Sequence, residues 1–134
     1  MKVCEQKNPY AGAPARPWIQ LRLHSATGET VTVKLLADTG SPCAIVIGRR
    51  VMEKVRLVEA PNLQTNFGLF EGGWVRVVIP GVAFEEMIVG FASDEAADAT
   101  RRSHTGFDGL VGLPLLRRME YGGNNEWFWV RKSD

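Results

Sequence analysis

The sequence predicts an all-β fold, and three observations carry that prediction. Residues 18–35 alternate apolar and polar side chains on either side of a turn signal, the pattern of a hairpin with one wet face. Short apolar runs rich in Val and Ile then recur along the chain, bounded by Gly, Pro or polar clusters. Helical spacing is confined to one or two short segments. At 134 residues the chain is one domain, long enough to bury roughly two-thirds of its unfolded surface. No internal repeat divides it.

Residues 1–17 carry Pro9, Gly12, Pro14 and Pro17 among polar residues and read as an extended or disordered N-terminal arm, leaving 18–134 as the domain. In the hairpin Ile19, Leu21 and Leu23 face one way, and Gln20, Arg22 and His24 the other. After Ala26-Thr27-Gly28-Glu29 the apolar face resumes with Val31, Val33 and Leu35. The alternation lapses at Leu35-Leu36-Ala37, as it does in a strand buried on both faces. Ala44-Ile45-Val46-Ile47 is the next strand, with Pro42 in the turn before it, and 48–55 suits a short helix with Val51 and Val55 one turn apart. Residues 57–66 read as a polar loop around Pro61-Asn62.

In residues 67–74 glycines stand among large apolar residues, which signals a hairpin with its tip there. Val75, Val77 and Ile79 form a strand that stops at Pro80-Gly81, and 82–91 contains the strand-like Met87-Ile88-Val89. Residues 92–106, acidic first and basic later, read as a surface loop with room for one helical turn and without chemistry. Residues 110–113 are a short buried strand, and Pro114 opens a short helix through Met119. Residues 122–125 form a turn, and Trp127-Phe128-Trp129-Val130 is a last strand with large apolar side chains on both faces.

Composition excludes several function classes. With 16 basic and 15 acidic residues the net charge is +1, which argues against a nucleic-acid surface. The pairs Arg49-Arg50, Arg101-Arg102 and Arg117-Arg118 are scattered and read as solvated surface. Two cysteines, Cys4 and Cys43, make no disulfide framework and have no metal-ligand spacing, so neither metal nor other cofactor is expected. Residues 1–17 hold no signal peptide and no stretch is long enough to span a membrane, so a reducing, cytoplasmic location without a membrane partner is expected. His24 and His104 adjoin no recognisable nucleophile motif.

The residues that carry chemistry are Leu35-Leu36-Ala37-Asp38-Thr39-Gly40-Ser41. An apolar strand delivers a carboxylate into a glycine-containing turn flanked by two hydroxyls, where Gly40 permits close approach and Thr39 and Ser41 can donate hydrogen bonds. Asp, Thr, Gly and Ser are also ordinary turn formers, so this tetrad is weak by itself. A second stretch far downstream strengthens it, Asp108-Gly109-Leu110-Val111-Gly112-Leu113-Pro114-Leu115-Leu116-Arg117.

Together the two stretches resemble the retropepsin-like aspartic proteases, across roughly residues 18–131. In that family two apolar residues precede Asp-Thr/Ser-Gly, a flap hairpin follows, and an apolar-apolar-Gly segment leads into a short helix. Leu35-Leu36 with Asp38 to Ser41 match the first part, and Leu110-Val111-Gly112 before Leu115-Leu116-Arg117-Arg118 matches the last. Ala37, inserted between the Leu pair and Asp38, departs from the pattern. The resemblance implies a half-barrel with a flap and one or two short helices, dimeric. It implies Asp38 as catalytic residue, Thr39, Gly40 and Ser41 as support of the catalytic turn, and Val111 and Gly112 packed behind it. Phe67, Gly68, Leu69, Phe70, Gly72, Gly73 and Trp74 become the substrate-binding flap. Asp108 lacks a following hydroxyl and receives no catalytic role.

Two carboxyls that share one proton can take a proton from water and give one to the scissile carbonyl and then the leaving amine, because like charges that close cannot both ionise. The chain has one Asp-Thr-Gly and the length of one lobe, so the second Asp38 is expected from a second copy in a twofold homodimer acting on a polypeptide substrate. In the family the chain termini interleave into a dimer sheet, which Trp127-Phe128-Trp129-Val130 suits; a core strand within one subunit suits it equally. The alternative function is a catalytically silent module of the same fold that binds peptide or dimerises.

Overall fold

The structure is a computed structural model that describes residues 4–103 and 106–132. The first three residues of the arm, His104 and the last two residues of the domain lie outside that range. The elements in chain order are β1 (Glu5–Pro9), β2 (Trp18–His24), β3 (Thr30–Asp38), β4 (Ile45–Ile47), α1 (Arg49–Val55), β5 (Val58–Thr65) and β6 (Gly68–Ile79). They continue with β7 (Phe84–Ala92), α2 (Asp94–Ser103), β8 (Gly109–Gly112), α3 (Leu113–Leu116), β9 (Glu120–Gly123) and β10 (Trp127–Arg131).

The hairpin read from alternation is β2–β3, in register from Trp18 beside Leu36 to His24 beside Thr30. Its apolar residues Ile19, Leu21, Leu23, Val33 and Leu35 are buried in the main core. The larger sheet runs β2-β3-β8-β4-β7-β6-β5, and β6 returns to pair with β2 at Arg22, Leu23 and His24. That pairing closes six strands into a barrel, with β5 outside the ring. The barrel is complete within one chain, where the sequence reading expected a half-barrel. Val75, Val77 and Ile79 of β6, the strand next to β2 in the closed ring, join the same core, and each such buried aliphatic contributes about 1.5–3 kcal/mol.

A second sheet, β1-β10-β9, packs on the barrel through Phe128 and Val130, which belong to the same core. The N-terminal arm is therefore part of the fold: its β1 pairs from Glu5 beside Arg131 to Pro9 beside Trp127. A polar zipper fastens it. The Gln6 amide donates to the carbonyls of Gln20 (2.9 Å) and Pro80 (3.1 Å), and its oxygen accepts from the Gln20 N–H (2.6 Å) and from Asn8 (2.8 Å). Arg131 Nε donates to Glu5 at 2.7 Å. The strand β10 has both edges paired inside the chain, with β1 and with β9. Of the two roles open to it, the core strand within one subunit is the one observed.

Three segments read as loop or turn are ordered elements. Residues 58–65 form β5, whose pairing with β6 supplies the backbone order that its polar composition conceals. Residues 94–103 form α2, so the described chain has three helices. Ser93 caps α2 by accepting the Ala96 N–H at 3.1 Å, and Asp94 and Glu95 in the first turn with Arg101 and Arg102 in the last complement its dipole. Residues 120–123 form β9, with the turn after it. Among the described residues no helix is long and apolar enough to cross a membrane.

Gln6→Ala removes four hydrogen bonds at the seam between the sheets and leaves the half-buried Gln20 N–H without its side-chain partner. At about 0.5–1.5 kcal/mol for each bond and more for a stranded donor, it is expected to cost about 1–3 kcal/mol. Thermal or urea unfolding checks this; a melting curve identical to wild type would show that the zipper does not hold β1.

Candidate active site

The site begins with a crossing that the sheet order imposes. Strands β3 and β8 are parallel, with Ala37 beside Val111 and Asp38 beside Gly112. Strand β4 lies antiparallel on the other side of β8, with Ile45 beside Val111. The chain leaving β3 must therefore pass over the C-terminal end of β8 to reach β4, and residues 39–44 make that passage. Gly112 N–H donates to the Ala44 carbonyl at 2.9 Å and Leu113 N–H to the Ser41 carbonyl at 3.3 Å, so the end of β8 grips the crossing loop.

Gly112 is a glycine for that reason. A Cβ there would lie far inside the contact distance of the Cys43 carbonyl oxygen and 2.8 Å from that of Ser41. Both neighbours are backbone, which has nowhere to go. Val111 pairs beside Ala37 and Gly112 beside Asp38, under the turn that the resemblance would set them behind, and Val111 is fully buried.

Asp38 ends β3 half-buried, and its Oδ1 accepts the Gly40 N–H at 2.9 Å. Ser41 N–H donates to the Asp38 carbonyl at 3.1 Å, and Ser41 Oγ accepts the Cys43 N–H at 3.2 Å. Gly40 and Ser41 thus fix the turn and the carboxylate, while Thr39 is exposed. Asp108 is structural: its Oδ2 accepts the Lys34 N–H at 2.9 Å and its own N–H donates to the Lys34 carbonyl at 2.8 Å.

Asp38, Gly40, Ser41, Pro42 and Cys43 form one side of a cleft of about 740 Å³. Val46 and Leu110 continue it, and the β5–β6 hairpin stands opposite through Leu63, Gln64, Thr65, Asn66, Phe67 and Phe70. The third wall is α2, through Glu95, Ala96, Ala99, Thr100 and Arg102.

The hairpin differs from its sequence reading. Its turn is at Asn66 and Phe67, where Phe67 N–H donates to Thr65 Oγ1 at 3.0 Å, and β6 runs unbroken from Gly68. Of the proposed flap residues, Phe67 and Phe70 reach the cleft. Gly68 follows the turn and Leu69 is 52% exposed, outside the cleft lining. Trp74 faces solvent on the outer side of the sheet, beside Val58. Gly72 and Gly73 lie mid-strand, paired with both β5 and β7. They serve close packing: a Cβ on Gly73 would strike Arg56 and Met52 of the α1 region, and one on Gly72 the backbone of Pro61.

The α2 residues and Leu63 to Asn66 were missed as cleft residues. The α2 helix was detectable from Ser93 as cap, the acidic first turn and the basic last turn. Its place beside Asp38 was not, because that follows from the long-range pairing of β8. Among the described residues no three His, Cys, Asp or Glu side chains converge as a metal site. No protein-family model, curated protein or solved structure matches the chain.

Cys43 is 2% exposed, and burial pushes its thiol above the usual range, opposed by the hydrogen bond with Ser41. The unfolded thiol ionises first, so its contribution to stability is complete below the usual thiol range and declines as pH rises beyond it. At mildly alkaline pH, iodoacetamide is expected to alkylate exposed Cys4 well before Cys43. Gly112→Val is expected to cost about 1–3 kcal/mol or more and to make Cys43 as reactive as Cys4, because the loop above it must lift. Gly28→Val has a positive φ to strain but open space around it, so it costs stability without exposing Cys43. Mass spectrometry of the alkylated protein reads both. Equal Cys43 protection in the two variants would show that the loop does not rest on Gly112.

Proposed function

We propose that this chain is an aspartic endopeptidase of retropepsin-like topology, active as a homodimer in which each subunit contributes one Asp38. The observation that carries the reading is the Asp38-Thr39-Gly40-Ser41 turn, leaving a barrel strand over Gly112 and opening on a cleft faced by a hairpin tip. This is the arrangement of carboxylate, turn and flap that the resemblance implies. An extended polypeptide lying between the crossing loop and the tip would present a carbonyl to a water held by the paired carboxyls. One carboxyl takes a proton from the water as its oxygen adds to the carbonyl carbon, and the other gives its proton to the carbonyl oxygen. The first then passes the proton taken from water to the leaving nitrogen as the C–N bond breaks, and a hydroxyl of the collapsing diol returns one proton to the pair.

Several features support a two-chain site. Thr39 is exposed beside Asp38, free to meet its counterpart across a dyad. The edges of the terminal sheet left for a partner are those of β1 and β9, since β10 is flanked on both sides. Glu95 is the other carboxylate lining the cleft and offers an intrachain alternative that mutation separates.

Asp38→Asn is expected to abolish cleavage of an unstructured protein with fold and solution mass unchanged, and Glu95→Gln and Cys43→Ala to retain it. Activity is expected to fall more steeply than linearly on dilution, because two chains assemble the site. Full turnover by Asp38→Asn would remove Asp38 from the chemistry. Loss of turnover in Glu95→Gln, together with an active monomer by sedimentation, would place the carboxyl pair within one chain. Peptide binding without turnover by wild type would identify the silent module.

A further inference from the structure

Resting on the reading of the cleft as a polypeptide site, we infer that α2 is its specificity wall, and that Ala96 and Ala99 set the size of the side chain accepted beside Asp38. The apolar part of the cleft is a hydrophobic cluster separate from the barrel core. Cys43, Val46 and Phe70 are its buried members, and Leu63, Ala96 and Leu110 are among those packed against them. The floor of the cleft is therefore apolar, made of side chains packed on one another.

The α2 wall is rigid. Ser93 caps it and donates its own N–H to the Ile47 carbonyl at 2.9 Å, while Ala97 is buried beneath it. Thr100 Oγ1 donates to the Ala96 carbonyl at 2.9 Å, so its hydroxyl hydrogen is held within the helix. What remains toward the ligand in the middle of the helix is the short side chain of Ala96 and of Ala99. Charge is confined to the two ends, Glu95 and Arg102. A wall with small residues at its centre and a fixed backbone leaves a space that a Leu or Phe side chain fills and an Ala side chain leaves open. The substrate class is an extended polypeptide segment with a large apolar residue at that position. The opposite wall is a hairpin tip whose Phe67 is 70% exposed, so α2 is the wall that limits the depth of the space.

The test separates binding from turnover by using the Asp38→Asn protein. Blocked peptides identical except for one central Ala, Leu or Phe are titrated calorimetrically. The Leu and Phe peptides are expected to bind about tenfold or more tightly than the Ala peptide. Ala99→Leu and Ala99→Met, at an exposed helical position where the fold tolerates a larger side chain, are expected to reduce that preference to about threefold or less at an unchanged melting temperature. A preference untouched in both folded variants overturns the inference, as does failure of every peptide to bind. A preference that depends on Ala99, found where wild type cleaves none of the peptides, upholds the role of α2 and defeats the endopeptidase reading instead.

Discussion

The fold depends on one steric constraint, the passage of residues 39–44 across the end of β8. Strands β3 and β4 flank β8 but are joined by a short loop, so the loop has one route, directly over Gly112. A side chain there would part the loop from β8, break the two backbone hydrogen bonds that hold it, and open the barrel between β3 and β4. The same crossing places Asp38 at the rim. A strand that ended in an ordinary hairpin would have paired its last residue with the next strand; here the last residue of β3 faces a glycine and a cleft.

Around that crossing the molecule supplies stiffness where position matters. The barrel closes on itself through β2 and β6, so no barrel strand can shift without disturbing a neighbour on each side. The terminal sheet is tied to it by Phe128 and Val130 in the core and by Gln6 at the seam. The hairpin tip is the exception. Beyond Glu71 its strands pair only with each other, Phe70 and Leu63 pack on the cluster around Cys43 and Val46, and Phe67 at the turn stands in solvent.

Local pattern made part of this visible in the sequence. Alternation at Ile19, Leu21, Leu23, Val33 and Leu35 located the first hairpin because one face is core and the other solvent. Asp38-Thr39-Gly40-Ser41 and Val111-Gly112 were paired in advance through the resemblance alone; the physical reason, the missing side chain that lets the loop cross β8, needs the sheet order to be seen. Elements held chiefly by partners were illegible: β1 by β10, β5 by β6, and β9 by β10 carry polar or glycine-rich sequences that only pairing orders. The hairpin tip was misplaced because Gly72 and Gly73 look like turn residues, although close packing against Pro61 and Arg56 is what demands them. The α2 wall was passed over because exposed charge masked Ala97 and Thr100, the buried side that docks it.

The strand β5 bears on a hazard every open sheet carries. It is the outermost strand of the larger sheet, and a bare edge invites another chain to add to it. Here Pro61 stands mid-strand without an N–H, the register shifts between Ala60 and Leu63, and the Asn62 side chain turns inward to accept the Gly72 N–H. No unbroken row of donors and acceptors faces outward. The strand that flanks the cleft is thereby a poor template for fibre growth, so the protein can carry a hairpin at the rim of the cleft without offering its own edge as a seed for aggregation.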